Sequence, residues 1–210
     1  MFYGTPNRAG RPKGSNNKTS EVVRQVIADL LTENAGQLRE RMNGLSDAEF
    51  VKIADSHVEA LNHALENIPA EKVRLHICWG NYEGPHCCDI PMDTMFSTLM
   101  RAKPSYVLFE TSNPRHGHEW TTFRDRKAEI PDTKILVPGV VDTTTNFVEH
   151  PELVAQRIER FVDIVGTERV IAGSDCGFGT FAGFGAVDPD IAYAKLGALS
   201  EGAALVNNRL

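Results

Sequence analysis

The sequence KILVPGVVD (residues 134–142) is a short apolar run that ends in an aspartate. Such runs, bounded by polar or turn-forming residues, predict buried strands. Three further runs have the same form, namely VRLHIC (73–78), YVLFE (106–110) and RVIAGSDC (169–176). Because longer helical or irregular segments separate them, the sequence predicts strand alternating with helix, which is typical of βα units on a parallel sheet.

Helical patterns lie between and before these runs. They are predicted at about 92–103, 119–129 and 151–165, and a last helix is predicted from Pro189. Near the N-terminus, apolar residues at three-to-four spacing from Ser20 predict one amphipathic helix. A second is predicted after GLSDAEF (44–50), where Ser46 and Glu49 form a capping box.

Composition limits the size and the compartment of the protein. The chain has 210 residues, 41% of them apolar, which suits one domain or one domain with an extension. No apolar stretch approaches the roughly 18 residues that span a bilayer, and the N-terminus lacks the apolar core of a secretory signal. We therefore expect a soluble, cytoplasmic protein without a membrane segment. Its four cysteines do not resemble a disulfide framework, so we expect reduced thiols that can bind metal.

The first 19 residues differ in charge from the rest of the chain. Although the net charge is −6, residues 1–19 contain no acid and four cations: Arg8, Arg11, Lys13 and Lys18. They are also rich in Gly, Asn and Pro, which predicts a flexible basic arm. The core of the arm, GRPKG (10–14), resembles an AT-hook. A DNA-associated protein is therefore an alternative function, although a solvated tail explains the arm as well.

Polar side chains occur where each predicted strand ends. Cys78, Glu110, Asp142 and the pair Asp175 and Cys176 all have this position. Parallel α/β folds place ligands and catalytic groups at the carboxyl ends of their strands. Polar residues also mark strand ends without any function, which would explain Asp142 but explains the cysteines poorly.

His76 and Cys78 stand two positions apart, so in an ideal strand they point to the same face. With Glu110 and Cys176 they are ligand types that zinc prefers. A buried histidine beside a small apolar cysteine is the alternative interpretation. A local structural zinc site of His76, Cys78, His86 and Cys87 is another, but it leaves the Asp-Cys-Gly motif at Cys176 unexplained.

Four motifs in this order resemble the catalytic domain of the cobalamin-independent methionine synthase family, whose superfamily includes epoxyalkane–coenzyme M transferase. They are LHICWGN (75–81), FETS (109–112), PGVVD (138–142) and GSDCGFGT (173–180). The resemblance covers about residues 55–210 and implies a (β/α) TIM-type barrel. It implies that Zn²⁺ is the cofactor. It also implies the zinc ligands, His76, Cys78, Glu110 and Cys176, and two neighbours of the site, Asp142 and Asp175.

The resemblance also implies an activity, the zinc-dependent transfer of a methyl or alkyl group to a thiol. In methionine synthases the acceptor is homocysteine and the donor is a methylated folate. Those enzymes have a histidine two residues after the aspartate of PGVVD, thought to protonate the departing amine, where this chain has Thr144. This difference favours the alkyltransferase branch. His116 and His118 are candidate replacements for the missing proton donor.

The chain is short for the implied fold, because a complete barrel has eight strands and about 250 residues. About four C-terminal βα units are predicted here, preceded by two helices and the basic arm. We therefore divide the chain into the arm (1–19), a helical segment (20–54) and a half barrel with the zinc site (55–210). A half barrel has open sheet edges. A homodimer that completes the barrel and an inactive zinc-binding fragment are both consistent with this.

Overall fold

The computed structural model of the protein describes residues 44–81, 83–179 and 187–209. Its strands are β1 (Arg74–His76), β2 (Tyr106–Phe109), β3 (Ile135–Val141) and β4 (Gly173–Ser174). Its α-helices are α1 (Asp47–Ala64), α2 (Met92–Arg101), α3 (Trp120–Asp125), α4 (Pro151–Val165) and α5 (Pro189–Arg209). Short 3₁₀ helices lie at Ala70–Lys72, Lys127–Glu129 and Thr167–Arg169.

The strands form a parallel sheet in the order β1-β2-β3-β4. Leu75 of β1 pairs with Val107 of β2, which in turn pairs with Leu136 of β3. Each connection between neighbouring strands carries a helix, α2, α3 or α4. This sequence of βα units is a partial (β/α) barrel, and it confirms the predicted fold class in the described residues.

Two of the strands are shorter than the apolar runs that predicted them. β1 ends at His76, and one further sheet bond joins the Ile77 amide to the Leu108 carbonyl at 3.0 Å. Cys78 therefore follows the strand rather than ending it. β4 contains only Gly173 and Ser174, preceded by a single bridge between Leu136 and Val170.

The sheet is covered by aromatic and aliphatic side chains from the helices. The aromatic cluster consists of four buried residues: Phe96, Phe109, Phe123 and Phe161. The rings of Phe109 and Phe123 stack with centroids 4.3 Å apart. α4 and α5 pack closely, since a Cβ added at Gly202 would lie 2.5 Å from Val154 Cγ1. A second buried cluster contains Val140, Val154 and Val206, so apolar side chains of the helices cover the sheet in two places.

The N-terminal predictions are tested only in part. The capping box of Ser46 and Glu49 is present and starts α1, as predicted. α1 runs without interruption through residues 54 and 55, where the sequence suggested a boundary. The predicted helix from Ser20 and the basic arm lie outside the described residues, so DNA association stays a prediction of the sequence. Within the described ranges, no helix is both long and apolar enough to cross a membrane.

Candidate metal centre

Three side chains of types that can bind a metal ion meet at the carboxyl ends of the strands. The ligand atoms of His76, Cys78 and Cys176 lie within 4.8 Å of one another. Cys176 Sγ is 3.5 Å from His76 Nε2, although 100 positions separate the two residues. His76 and Cys78 are exposed and Cys176 is buried. The centre therefore has one buried thiol at its base and two ligands open to solvent.

Glu110 is the carboxylate of this centre. It is buried, and its Oε1 atom accepts a hydrogen bond from Cys176 Sγ at 3.0 Å. Its Oε2 atom is 3.4 Å from the backbone nitrogen of Trp79, which follows Cys78 directly. Glu110 thus connects the segment after β1 with the segment after β4.

The pKa values of Cys176 and His76 are both shifted by their surroundings. Burial raises the pKa of Cys176 far above its usual value, and the nearby Glu110 and Cys78 raise it further. Burial lowers the pKa of His76, with an opposing effect from the charge of Glu110. A buried thiol beside a carboxylate and a second thiol loses its proton readily only when a cation compensates the charge. Two sulfurs, one imidazole and one carboxylate are a donor set that fits zinc.

Asp175, next to Cys176, ties the FETS motif to the GSDC motif. Its Oδ1 atom accepts from the backbone amides of Thr111 and Ser112, both at 2.9 Å. Its Oδ2 atom accepts from the amide of Asn113 at 2.8 Å. Burial raises the pKa of Asp175 to about 7, and these amides act in the opposite direction. Asp175 therefore connects the segment after β2 to the segment that carries Cys176.

Gly139 of the PGVVD motif contacts both the FETS motif and the GSDC motif. The Gly139 carbonyl accepts from the hydroxyls of Thr111 and Ser112, at 2.6 and 2.8 Å. A Cβ at this position would lie 2.5 Å from Asp175 Cα and 2.7 Å from its nitrogen. Only glycine permits this close approach of β3 to the segment that carries Cys176.

Asp142 organises the loop after β3 rather than the metal ligands. Its Oδ1 atom accepts from the amide and the hydroxyl of Thr144, both at 3.0 Å, and its Oδ2 atom accepts from the Thr145 amide at 3.1 Å. Burial raises the pKa of Asp142, but these bonds and the charge of Lys195 outweigh burial, so the pKa lies below its usual value. Asp142 is thus an anion that shapes the loop containing Thr144.

The sequence did not predict the hydrogen bonds that connect Asp142 to Glu149 and Lys195. The Asp142 amide donates to Glu149 Oε1 at 2.8 Å, and Glu149 Oε2 accepts from Lys195 Nζ at 2.9 Å. Lys195 lies on α5 and is fully buried. A lysine on a helix far along the chain carries no local sign of this role, so the sequence could not reveal it.

A cavity of about 410 Å³ opens at the same edge of the sheet. Glu110, Asp142 and Asp175 all reach it. The other lining residues come from three loops: Gly80, Glu83, Gly84, Pro85, His86, Asn113, Pro114, Arg115, Thr143, Thr144 and Thr145. The cavity therefore adjoins the metal centre and is large enough for small organic reactants.

The two histidines predicted as proton donors lie elsewhere. His116 is buried, with Nδ1 3.0 Å from Glu119 Oε2 and Nε2 2.9 Å from Asp89 Oδ2. Its ring stacks on Trp79 with centroids 3.8 Å apart. His118 is exposed, and neither histidine is among the described residues that line the cavity. The cavity histidine is His86, which sequence reasoning considered only as a structural zinc ligand.

The local zinc site suggested by the sequence is not assembled in the described residues. The donor group of His76 and Cys78 takes Cys176 as its third member rather than Cys87. Cys87 and Cys88 are exposed, with sulfurs 3.7 Å apart. His86 Nδ1 instead lies 2.8 Å from Asp89 Oδ2.

A parallel half barrel with a sulfur and imidazole centre at its carboxyl edge is the form expected of a barrel metalloenzyme. Residues 84–188, half of the chain, match the family model of the cobalamin-independent synthase catalytic domain. The chain belongs to this family, as the four sequence motifs predicted.

Curated relatives of the chain carry two different activities. The chain is 27% identical to 2-hydroxypropyl-CoM lyase of Xanthobacter autotrophicus over 74% of its length and 46% of the relative. It is 29% identical to methionine synthase of Saccharolobus solfataricus over 73% of its length and 40% of the relative. It is 30% identical to methionine synthase of Thermococcus kodakarensis over 79% of its length and 42% of the relative. The chain therefore spans less than half the length of each.

A solved structure shares the fold. The B12-independent methionine synthase from Shewanella sp. W3-18-1, in complex with selenomethionine, superposes with a TM-score of 0.57. The match covers 80% of this chain and 46% of the other, at 19% identity. It supports the partial barrel as the architecture.

Proposed function

We propose that the protein is a zinc-dependent enzyme that transfers an alkyl or methyl group to a thiol. The observation that carries this proposal is the meeting of His76, Cys78 and Cys176 within 4.8 Å. Cys176 contacts Glu110, which lines the cavity. Membership of a family of methyl and alkyl transferases supports the same chemistry.

The residues of the centre have distinct roles in this proposal. His76, Cys78 and Cys176 would hold zinc, and Glu110 is the fourth candidate ligand. Zinc, when bound, supplies a positive charge that favours the thiolate form of a substrate thiol at neutral pH. Asp175 and Asp142 position the surrounding loops through the backbone bonds described above. The adjoining cavity would hold the carbon donor next to the thiol.

Thr144 supports the alkyltransferase branch. The position that holds a proton-donating histidine in methionine synthases has here a hydroxyl that donates to Asp142 at 3.0 Å. A threonine hydroxyl is a poor acid, so a folate amine would leave slowly. An epoxide is a better match, because relief of ring strain assists its opening. Methyl transfer from a methylated folate to a homocysteine-like thiol is the second candidate, favoured by the methionine synthase relatives.

A panel of reactants tests the proposal. Protein loaded with zinc is incubated with coenzyme M or homocysteine and with an epoxide or a methylated folate, and thioether products are measured. We expect product with at least one thiol, dependent on zinc and lost in Cys176→Ser. Zinc-loaded protein that forms no thioether above the uncatalysed rate with any pair would overturn the proposal.

The outer strands of the described sheet lead to a proposal about assembly. β1 and β4 are the outer strands of the described sheet, and β1 pairs only with β2 there. An unpaired strand edge favours association with another chain. We expect a homodimer that brings two half barrels together. Light scattering of the purified chain across a range of concentrations measures this, and a monomer at all concentrations contradicts it.

A further inference from the structure

We propose that the buried ion pair of Lys195 and Glu149 positions the loop after β3 for binding of the carbon donor. This inference rests on the proposed function, in which the metal centre binds the thiol and the cavity binds the carbon donor. Lys195 and Glu149 are then positioning residues that act on only one of the two substrates. Three observations carry the inference: the closure of the loop, the burial of the pair, and the separation of the pair from the metal centre.

Polar contacts at both ends hold the loop that joins β3 to α4. At its start, the Asp142 carboxylate accepts from the amides of Thr144 and Thr145, at 3.0 and 3.1 Å. At its end, Glu149 reaches back, and its Oε1 atom accepts from the Asp142 amide at 2.8 Å. Between these ends Phe147 is 83% exposed, so burial of this large apolar side chain does not hold the loop. The bond from the Asp142 amide to Glu149 therefore closes the loop.

Lys195 of α5 holds the second carboxylate oxygen of Glu149. Glu149 Oε2 lies 2.9 Å from Lys195 Nζ, and the side chains of Glu149 and Lys195 are 8% and 0% exposed. Removing two charges from water costs about as much free energy as their attraction returns, so a buried ion pair is weak evidence for a gain in stability. Its effect on geometry is direct, because Lys195 fixes one carboxylate oxygen and the other oxygen then meets the Asp142 amide.

The residues that the pair orders lie on the cavity wall. Asp142, Thr143, Thr144 and Thr145 all line the cavity. Asp142 is bonded to Glu149 through its amide and to the threonines at 144 and 145 through its carboxylate. A displacement of Asp142 would therefore move a continuous part of the wall. For a reactant bound against that wall, a misplacement of about 1 Å can cost about 100-fold in rate.

The metal centre is held by contacts that do not involve this pair. The Asp175 amide, next to Cys176, donates to the Val141 carbonyl of β3 at 3.0 Å. Glu110 connects the segments that follow β1 and β4. In the described part of the chain, the hydrogen bonds of the pair reach Asp142 but none of the candidate zinc ligands. Breaking the pair should therefore release the loop and leave zinc and the thiol in place.

Two double variants separate the position of Asp142 from the charges of the pair. Both carry Lys195→Met, which removes the buried cation. In the first, Glu149→Gln keeps an oxygen that can accept from the Asp142 amide. In the second, Glu149→Leu removes this acceptor at similar side-chain size. Double changes are needed because a single change leaves one buried charge without its partner, which is strongly destabilising.

The test measures the kinetics of each substrate separately. Zinc-loaded, full-length protein is assayed with the thiol and the carbon donor that wild type uses, each varied in turn. We expect Lys195→Met with Glu149→Leu to lower kcat/KM for the carbon donor by about 10- to 100-fold. The KM for the thiol and the zinc content should stay within about 2-fold of wild type. Lys195→Met with Glu149→Gln should keep kcat/KM for the carbon donor within about 3-fold of wild type.

Hydrogen exchange tests the loop without an activity assay. In Lys195→Met with Glu149→Leu, peptides from residues 142–149 should exchange faster than in wild type, whereas peptides from β2 and β3 should be unchanged. Unchanged exchange of the loop would overturn the inference even if the other double variant did not fold.

An exposed ion pair on the same helix provides the matched control. Arg209 of α5 is exposed and pairs with Glu159 at 2.7 Å. Arg209→Met should leave the KM values of both substrates and the exchange of the loop unchanged, because exposed ion pairs contribute little.

The outcomes separate the two proposals. If wild type forms no thioether with any pair of reactants, the proposed function fails, and this inference fails with it. If wild type is active and the two double variants have equal kcat/KM for the carbon donor, the inference alone is overturned, because the acceptor at position 149 then has no effect. Zinc loss or a raised KM for the thiol in Lys195→Met with Glu149→Leu would place the effect at the metal centre and would also overturn it.

Discussion

Cys176 Sγ lies 3.0 Å from Glu110 Oε1, although the two residues are 66 positions apart in the chain. A buried thiol is thereby placed against a buried carboxylate, beside His76 and Cys78. Without a cation the thiol keeps its proton and donates to the carboxylate, because a thiolate and a carboxylate at this distance would repel each other. A bound cation would allow both groups to be anions. The pair therefore provides several tests of the metal centre.

Replacing Cys176 by serine should remove most of the bound zinc, since the buried ligand at the base of the centre is lost. Metal content after dialysis against a weak chelator measures this directly. Cys87→Ser is the matched control, because Cys87 is exposed and outside the donor group. Zinc loss in Cys87→Ser alone would contradict the assignment.

Replacing Glu110 by glutamine should have a smaller effect on zinc, about a 10- to 100-fold loss of affinity, because sulfur and nitrogen ligands remain. In the metal-free protein the same change should lower the pKa of Cys176, since the Glu110 carboxylate helps to raise it. The rate at which iodoacetamide alkylates Cys176 at a fixed pH, followed by peptide mass spectrometry, reports the thiolate fraction and should rise. An unchanged alkylation rate of Cys176 would show that the two groups do not interact.

Zinc binding should release protons, mainly from the thiols. Burial raises the pKa of Cys176, so this thiol is protonated before zinc binds, whereas the lowered pKa of His76 leaves its imidazole neutral near pH 7. Zinc occupancy should therefore fall as the pH drops. Calorimetric titration in buffers of different ionisation heat should find about one proton fewer in Cys176→Ser than in wild type. Equal proton release in the two proteins would exclude Cys176 as a ligand.

Replacing Gly139 by alanine should destabilise the fold by about 1–3 kcal/mol, because the new methyl group collides with the Asp175 backbone. Gly197→Ala on α5 is the control, since a Cβ there meets nothing within 4 Å. That change should stabilise the helix by up to about 1 kcal/mol. Urea unfolding of both variants measures the difference, and equal effects would rule out the close approach at Gly139.

His116 should make stability depend on pH. Burial lowers the pKa of His116, but its bonds to Glu119 and Asp89 outweigh burial and raise the pKa above its usual value. Its contribution to stability is then complete below about pH 6.5 and is lost as the pH rises through the folded-state pKa. His116→Gln should therefore cost more free energy of unfolding at about pH 5.5 than at about pH 8.5. A cost that is equal at both values would show that His116 does not titrate in this way.

The strands and helices of the half barrel were predictable because their patterns are local. The run at 134–142 became β3, and the capping box of Ser46 and Glu49 started α1. The lengths of β1 and β4 were not predictable, since they depend on which backbone groups find a partner on the neighbouring strand. The apolar run continues to Cys78, but β1 ends at His76.

The sequence by itself determined the fold class, the family and the residue types of the centre, because strand periodicity and short motifs are properties of neighbouring residues. Only the tertiary structure decided which of these residues meet. It joined Cys176 to His76 and Cys78 in place of Cys87, buried His116, and brought His86 to the cavity. Such contacts depend on how parallel strands align their ends and on which polar groups must be satisfied once buried. Neither is recorded in the spacing of residues along the chain.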